Sequence, residues 1–153
     1  MSTPEDRLKE LGLTLPEIVK PLAAYVPAVR TGNYVYCSGQ IPMENGKLGP
    51  TGKVGAEVTA EEAKRQARIC ALNGLAALAS AAGGLSNVVR IVKVVGFVAS
   101  APGFTGQPSV INGASELFAE VFGDAGIHAR SAVGVAALPL DVPVEVELIA
   151  EVR

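Results

Sequence analysis

The arginine at residue 130 is the clearest candidate for chemistry in this chain. Arg130 opens the run of small and β-branched residues in "HARSAVGVAA", which is typical of a strand entering a core. A guanidinium is always charged and is costly to bury without an anionic partner. Because side chains alternate along a strand, Arg130 shares its face with the small residues Ala132, Gly134 and Ala136, which leave room for a ligand. Its planar fork matches a carboxylate bidentately.

The anionic partner of Arg130 can be a ligand or an acid of this chain. Candidates for a structural salt bridge lie on the last predicted strand: Glu145, Glu147 and Glu151. If 129–138 and 143–152 pair as a simple hairpin, Glu145 lies opposite Ala137, and Arg130 is roughly 23 Å further along the strand. In that register, Arg130 and Glu145 could touch one small molecule only across a subunit boundary.

The order of the predicted segments indicates a single α+β domain: a hairpin, a helix, a strand, a helix and two strands. Their ranges are 25–42, 63–82, 87–100, 108–123, 129–138 and 143–152. A capping box begins the first of these helices, with Thr59 accepting from the amide of Glu62 and the Glu62 side chain reaching back. One mostly antiparallel or mixed sheet with both helices on one face is the natural packing. Its other, apolar face should be covered by further subunits.

The first 21 residues predict a helical extension ahead of the domain, which we assign to 22–153. Thr3 can cap a short helix that has Pro4 at its first position and Gly12 at its end. Its alternating acids and bases indicate a solvated appendage.

Composition limits the function classes. The formal net charge is −2 and there is no basic stripe, so we expect no nucleic-acid partner. No uncharged apolar run reaches the roughly 18 residues of a membrane helix, and the polar N-terminus is not a targeting peptide. Cys37, Cys70 and the single His128 lack metal-ligand spacing. We therefore expect two buried structural thiols, no metal and a cytoplasmic protein.

Several motifs resemble the YjgF/RidA family in order and spacing. They are "PAVRTGN" after Tyr25, "SGQIP" at 38–42, "NG" at 112–113, "ARSAV" at 129–133, "LP" at 138–139 and "VEVELIAEV" at 144–152. The resemblance covers about residues 22–153. It implies a chorismate-mutase-like fold and a homotrimer whose sheets face a central core, with clefts between subunits.

The resemblance also implies an activity, namely hydrolytic deamination of reactive small 2-iminoacids or enamines to 2-ketoacids and ammonia. No cofactor is implied. Arg130 matches the residue that clamps the substrate carboxylate, and Glu145 matches the acid that positions water. Tyr25, Ser38, Gly39 and Asn112 match residues that line the cleft. From the residues alone, Tyr25 could be a core residue, Ser38 and Gly39 a strand end, and Asn112 a solvent-facing side chain.

Three positions depart from the family pattern. His128 stands where many members have Pro, Ala132 where many deaminases have Cys, and Gly134 where many have Glu. Two other functions therefore stay open: a non-catalytic, small-carboxylate-binding or regulatory trimer, and an RNA-degrading or chaperone-like role. The lack of a basic patch weighs against RNA. Arg130 together with Glu145 favours the hydrolase, since binding needs only the cation.

Overall fold

The structure is a computed structural model that describes residues 2–18 and 23–153. Its helices are α1 (Pro4–Glu10), α2 (Ala60–Ala82) and α3 (Gln107–Phe122). Its strands are β1 (Ala28–Thr31), β2 (Tyr34–Gln40), β3 (Met43–Glu44), β4 (Lys47–Leu48), β5 (Val88–Ala99), β6 (Ala129–Val135) and β7 (Val144–Val152). Short 3-10 turns occupy Leu85–Asn87, Gly123–Gly126 and Pro139–Asp141.

Five strands form one mixed sheet in the order β1-β2-β7-β5-β6. β5 and β6 run parallel, and the other neighbouring pairs are antiparallel. β3 and β4 form a separate small hairpin. The predicted α+β class and mixed sheet are confirmed. The expected hairpin between the last two strands is wrong, because β5 lies between β6 and β7.

The residue types explain why β7 lies inside the sheet while β6 lies at its edge. The helix-facing side of β7 consists of residues that are at most 2% exposed: Val144, Val146, Leu148, Ala150 and Val152. β6 presents Arg130, Ala132 and Gly134 to the same side, and these bury little apolar surface. Burial favours the apolar strand in the centre, and an edge tolerates the strand that carries a charge.

α2 and α3 pack on the same face of the sheet, as predicted. Thr59 begins α2 by accepting from the amide of Glu62 at 3.1 Å. The Glu62 carboxylate does not complete the expected capping box, because it pairs with Arg65 Nε at 2.8 Å. Gly83 ends the helix in the left-handed conformation, with φ of 76°.

Close contact between α2 and α3 depends on the glycine of the "NG" pair. A Cβ at Gly113 would collide with the carbonyl oxygen of Lys64. Two exposed ion pairs also cross this contact: Lys64 Nζ–Glu116 Oε1 at 3.3 Å and Arg68 Nη2–Glu120 Oε2 at 3.1 Å. Exposed pairs contribute about 0–1 kcal/mol each. Close packing at Gly113 therefore determines where α3, and Asn112 on it, lies.

α1 packs against the body of the protein. Leu8 is 4% exposed, and the Glu5 carboxylate accepts from Ser86 Oγ at 2.7 Å. Thr3 and Asp6 form a complete capping box at its start. The expected solvated appendage is thus wrong for α1. The predicted boundary between residues 21 and 22 lies outside the described residues.

The second face of the sheet, called here the open face, is covered by neither α2 nor α3. It carries Tyr36 on β2 and Glu145 and Glu147 on β7. Large apolar side chains remain exposed there, including Val29, Tyr36 and Val133. The expectation that further subunits cover this face stays a prediction. Within 2–18 and 23–153, no helix is long and apolar enough to cross a membrane.

Candidate functional site

Arg130 lies on the helix-facing side of β6, at the edge of the sheet and beside α3. Its Nη1 donates to Asn112 Oδ1 at 2.8 Å and to Ser115 Oγ at 3.2 Å. Its Nη2 donates to the carbonyl oxygen of Pro108 at 3.4 Å. Asn112 and Ser115 are three residues apart, so one face of α3 receives the guanidinium. Two of the predicted site residues, Arg130 and Asn112, are therefore in direct contact.

No carboxylate within the described ranges forms an ion pair with Arg130. The structural salt bridge to an acid of the last strand is thus absent from this part of the protein. A guanidinium has five N–H donors. Three of them are used, which leaves Nε–H and one Nη2–H without a partner among the described residues. This free edge of Arg130 can donate to both oxygens of a carboxylate.

His128 lies behind Ser115. Its Nε2 is 2.8 Å from Ser115 Oγ, and its Nδ1 is 2.6 Å from the carbonyl oxygen of Gly126. The ring also meets Phe118 edge-on, with 5.8 Å between ring centroids and 83° between planes. Burial lowers the pKa of His128, the Gly126 hydrogen bond opposes this shift, and the charge of Arg130 adds to it. A lowered pKa favours the neutral ring at pH 7.

Ser115 was not predicted from the sequence, and His128 was noted as a departure from the family pattern and as a residue without metal-ligand spacing. A signal for Ser115 did exist, because it follows Asn112 at the three-residue spacing that shares a helix face. His128 lies two residues before Arg130 on the approach to β6. Only the packing of α3 against that approach brings the two together.

Ser38, Gly39 and Glu145 lie together at a bulge between β2 and β7. The pairing register shifts between Cys37 and Gln40, so that Ser38 and Gly39 together oppose one residue of β7. A bulge of this kind changes the direction of nearby side chains. A Cβ at Gly39 would overlap the Glu145 carboxylate. Glycine is therefore needed at residue 39 so that Glu145 can lie against the backbone.

Glu145 is half-buried on the open face. Burial raises its pKa, and the negative charge of Glu147 raises it further. No cation in the described residues forms an ion pair with it. A carboxylate with a raised pKa exchanges a proton closer to neutral pH than an ordinary one, as a general base requires.

Tyr25 directly precedes Val26, which Ser38 contacts, and it is 54% exposed, so it is not a core residue of this chain. Ser38 Oγ donates to the Val26 carbonyl oxygen at 2.6 Å. The Ser38 amide donates to the Pro27 carbonyl oxygen at 2.8 Å. These two bonds hold the segment that carries Tyr25 against β2.

Arg130 and Glu145 point to opposite faces of the sheet. Glu145 pairs with Phe97 of β5, whereas Arg130 pairs with Val94, three residues away on the same strand. Residues an odd number apart on a strand face opposite ways. Two strand spacings and three residues separate their Cα atoms by about 14 Å, which replaces the expected 23 Å. One chain cannot present both side chains to one small molecule.

The edge beyond Arg130 is filled differently from the family pattern. Ala132 packs against the core. Gln107 Nε2 donates to Ser100 Oγ at 3.1 Å, and a Cβ at Gly134 would approach that same Nε2 to 2.9 Å. Gln107 therefore occupies space that a larger side chain at residue 134 would need.

A cavity of about 260 Å³ lies on the open face. Its lining includes Tyr36, Ser38, Lys93, Val95 and Glu147, but neither Arg130 nor Glu145. Lys93 Nζ donates to Ser131 Oγ at 3.1 Å. The cavity thus lies on the same face as Glu145, and the sheet separates it from the guanidinium.

Both cysteines are free, buried thiols. Burial raises the pKa of Cys37 to about 12. Burial, with a further contribution from the charge of Glu145, raises the pKa of Cys70 well above its usual range. Neither is a thiolate at neutral pH, so both are structural, as predicted. The described residues contain no group of three or more acidic, His or Cys side chains that could hold a metal ion.

The chain is similar to several known proteins over nearly its whole length. It is 43% identical over 147 residues to Protein TCP17 of Trypanosoma cruzi, covering 95% of this chain and 92% of that protein. The structure of Atu1372 from Agrobacterium tumefaciens, whose function is described as unknown, is 50% identical with a TM-score of 0.89 and covers 98% and 92% of the two chains.

Two further solved structures carry more informative descriptions. A "putative endoribonuclease" of Shewanella oneidensis MR-1 is 36% identical with a TM-score of 0.95, covering 99% of this chain and all of that one. E. coli TdcF with bound serine is 31% identical with a TM-score of 0.57, covering 90% and 92%. The family model described as "YjgF/chorismate_mutase-like, putative endoribonuclease" matches residues 5–152, a range that begins inside α1. With the mixed sheet and the two helices on its one face, this match shows that the chain belongs to the YjgF/chorismate-mutase-like family.

Proposed function

We propose that the protein hydrolyses reactive small 2-iminoacids, or the enamines that tautomerise to them, to 2-ketoacids and ammonia. The observation that carries the proposal is the free edge of Arg130 on a partly buried guanidinium without an acidic partner in the described residues. The proposed substrates and products all have a carboxylate next to the reacting carbon. A bidentate contact with Arg130 fixes that carbon in position.

The proposed reaction needs an oriented substrate and one positioned water. The carbon of a protonated imine is already electrophilic, so water adds to it while a base takes the water's proton. That proton then moves to nitrogen, the C–N bond breaks and the carbonyl forms. The sum is R–C(=NH2⁺)–COO⁻ plus H2O giving R–CO–COO⁻ plus NH4⁺. Glu145, with its raised pKa, is the proposed base.

The proposed site is a cleft between two copies of the chain. Because Arg130 and Glu145 face opposite sides of one sheet, the guanidinium of one copy must meet the Glu145 cluster of a neighbour. Gly39 lies against Glu145, and Ser38 next to it is bonded to the segment that carries Tyr25, so these three residues would line the neighbour's side of the cleft. The proposed assembly is the homotrimer of the family, with the open faces turned inward.

The comparisons support a small ligand more directly than RNA. Serine, the molecule bound in the E. coli TdcF structure, has the carboxylate and α-nitrogen of the proposed substrates. The family description also contains the word endoribonuclease. A chain with a net charge of −2 offers little electrostatic attraction for a phosphate backbone. The proposed setting is the cytosol, where free thiols stay reduced.

A coupled assay tests the activity. An amino-acid oxidase generates 2-iminobutanoate in the presence of semicarbazide, and the semicarbazone is followed with and without the protein. We expect the protein to suppress semicarbazone formation by removing the imine first. Carboxylate binding without suppression would replace the enzyme with a binding module. Cleavage of added RNA without suppression would replace it with a nuclease.

Mixed assemblies test the shared cleft. Arg130→Ala and Glu145→Gln subunits, each expected to be inactive alone, are co-expressed in equal amounts. If each site takes Arg130 from one copy and Glu145 from the next, random mixing restores about a quarter of the sites. Mixing Arg130→Ala with the double variant is the control and restores none. No recovery in assemblies shown by mass spectrometry to be mixed would contradict a shared cleft.

A further inference from the structure

Behind the Arg130 guanidinium lies a chain of hydrogen bonds from Gly126 through His128 to Ser115. We infer that Ser115 and His128 are positioning residues, which hold the guanidinium with its free edge available to the ligand. This inference rests on the proposed carboxylate site at Arg130. It assigns a role to two residues whose chemistry the proposed reaction does not use.

The direction of each hydrogen bond follows from what each atom can do. The Gly126 carbonyl oxygen can only accept, so Nδ1 of His128, at 2.6 Å, carries the ring proton. The opposite tautomer would set two lone pairs against each other. Nε2 of the neutral ring then has a lone pair, and it accepts the Ser115 hydroxyl proton across 2.8 Å. The tautomer therefore determines where the serine proton points.

For Arg130, the consequence is that Ser115 Oγ always faces the guanidinium as a hydrogen-bond acceptor and never as a donor. Ser115 has one hydroxyl proton, which points to His128, so only its lone pairs face Arg130 Nη1 at 3.2 Å. Asn112 Oδ1 accepts from the same Nη1 at 2.8 Å. Both Nη1 hydrogens are thereby used, one on each acceptor. The planar guanidinium is fixed, and its remaining donors are those of the free edge.

Fixing Arg130 before the ligand arrives has a clear benefit. A long side chain that is ordered only on binding reduces affinity by the entropy it loses then.

The surroundings also keep the ring of His128 neutral. Ser115 and Phe118 of α3 are uncharged, Arg130 is a cation, and Arg90 of β5 donates to the adjacent Ile127 carbonyl oxygen at 3.3 Å.

The single histidine of the chain makes the hydrogen-bond chain directly observable. In protein labelled with both ¹⁵N-histidine and ¹⁵N-arginine, we expect one imidazole in the Nδ1–H tautomer at neutral pH. Ser115→Ala removes the donor to Nε2 and should shift the Nε2 resonance. It should also broaden the Arg130 Nη signals through faster exchange, these signals being identified by their loss in Arg130→Lys. Ser115→Thr keeps the hydroxyl and should restore both signatures.

Ligand affinity is the second measurement, with 2-oxobutanoate as the probe in calorimetry. Ser115→Ala should weaken binding by about 3- to 10-fold, the effect of one lost hydrogen bond, and Ser115→Thr should recover most of it. Ser109→Ala, an exposed serine of the same helix, is the matched control and should change neither affinity nor spectrum.

Each outcome decides a different claim. An Nε2–H tautomer, or a Ser115→Ala variant with unchanged imidazole and Arg130 signals, overturns the inference. A Ser115→Ala variant whose signals change while its affinity equals the wild type limits the pair to a structural role and overturns positioning. If the wild type shows the expected signals but binds no 2-oxobutanoate, the proposed carboxylate function fails, and positioning for that ligand fails with it.

Discussion

Gly39 of β2 and the carboxylate of Glu145 on β7 lie so close that a Cβ at residue 39 would overlap the carboxylate. The register shift beside Ser38 creates this contact, because it turns the backbone of residue 39 toward its neighbour strand. Gly39 does not adopt a positive φ. Space for Glu145, and not backbone conformation, therefore explains the glycine.

Gly39→Ala should displace Glu145 without touching Arg130. We expect turnover of 2-iminobutanoate to fall by about 10²-fold, the scale of losing a positioned acid–base group, while 2-oxobutanoate affinity changes little. Steady-state kinetics and calorimetry on the assembled variant measure the two effects. A variant with wild-type kcat would show that the position of Glu145 is unimportant.

Arg130→Ala should abolish carboxylate binding and leave the fold intact, since the guanidinium lies at the sheet edge and supports no buried ion pair among residues 2–18 and 23–153. Removing a bidentate charged contact costs on the order of 2–5 kcal/mol, or at least about 30-fold in affinity. Arg130→Lys should recover only part of it, because an ammonium lacks the fork. Arg68→Ala on α2 removes the same charge elsewhere and is the control. Wild-type 2-oxobutanoate affinity in Arg130→Ala would reject the clamp.

Glu145→Gln should slow turnover by about 10²-fold with little change in affinity. Glu145 gives the anionic probe 2-oxobutanoate no ground-state attraction, so we expect the loss to appear in kcat and not in the affinity for that probe. Glu147→Gln, two residues along the same face, is the matched control and should be milder. If Glu145→Gln processes 2-iminobutanoate at the wild-type rate, Glu145 is structural.

Local signals in the sequence were sufficient to predict the two main helices and to place Asn112, which contacts Arg130, on the second of them. The Thr59 cap and Gly83 delimit α2, and Pro108 at the start of α3 fixes the face that carries Asn112. Each of these signals acts within a few residues. Residue spacing also predicted that Arg130 lies near the start of a strand, on a face of small residues that leaves space beside it. In the structure, α3 occupies part of that space and contacts Arg130.

Long-range pairing could not be derived in the same way. The hairpin expected between the last two strands rested on their adjacency in sequence, whereas α3 connects β5 to a parallel β6 and leaves the central position to β7. The Cα separation of about 14 Å between Arg130 and Glu145, in place of the expected 23 Å, follows from that order. The contact between Ser115 and His128 likewise depends on how α3 lies on the sheet, which residue types alone do not specify.

The open face should be buried in a homotrimer. Half-exposed Tyr36 and its neighbours form an apolar surface of the kind that other subunits cover. Light scattering should show a trimer at micromolar concentration, and Tyr36→Lys should shift it toward monomers while circular dichroism stays unchanged. A wild-type protein that is monomeric at that concentration would contradict both the trimer and the shared cleft.

The last prediction concerns the cost of keeping Glu145 charged. Burial and Glu147 raise its folded-state pKa above the ordinary 4.5, so the folded chain holds this proton more tightly than the unfolded chain. The stability that this provides is present at low pH and is lost as the pH rises through the folded-state pKa. Glu145→Gln removes the titration. The variant should therefore gain thermal stability relative to the wild type at pH 8, and the gain should shrink toward pH 4.5.

Calorimetric Tm differences at pH 4.5, 6 and 8 measure this effect. The lowered pKa of His128 acts in the opposite sense, destabilising the protein as the pH falls below 6.5, but it is common to both proteins and cancels in the difference. Glu147→Gln serves as a control for the loss of one negative charge on the same face. A variant less stable than the wild type at pH 8 would mean that Glu145 meets a cation in the assembled protein. That cation would then stabilise the carboxylate against the proton transfer assigned to it.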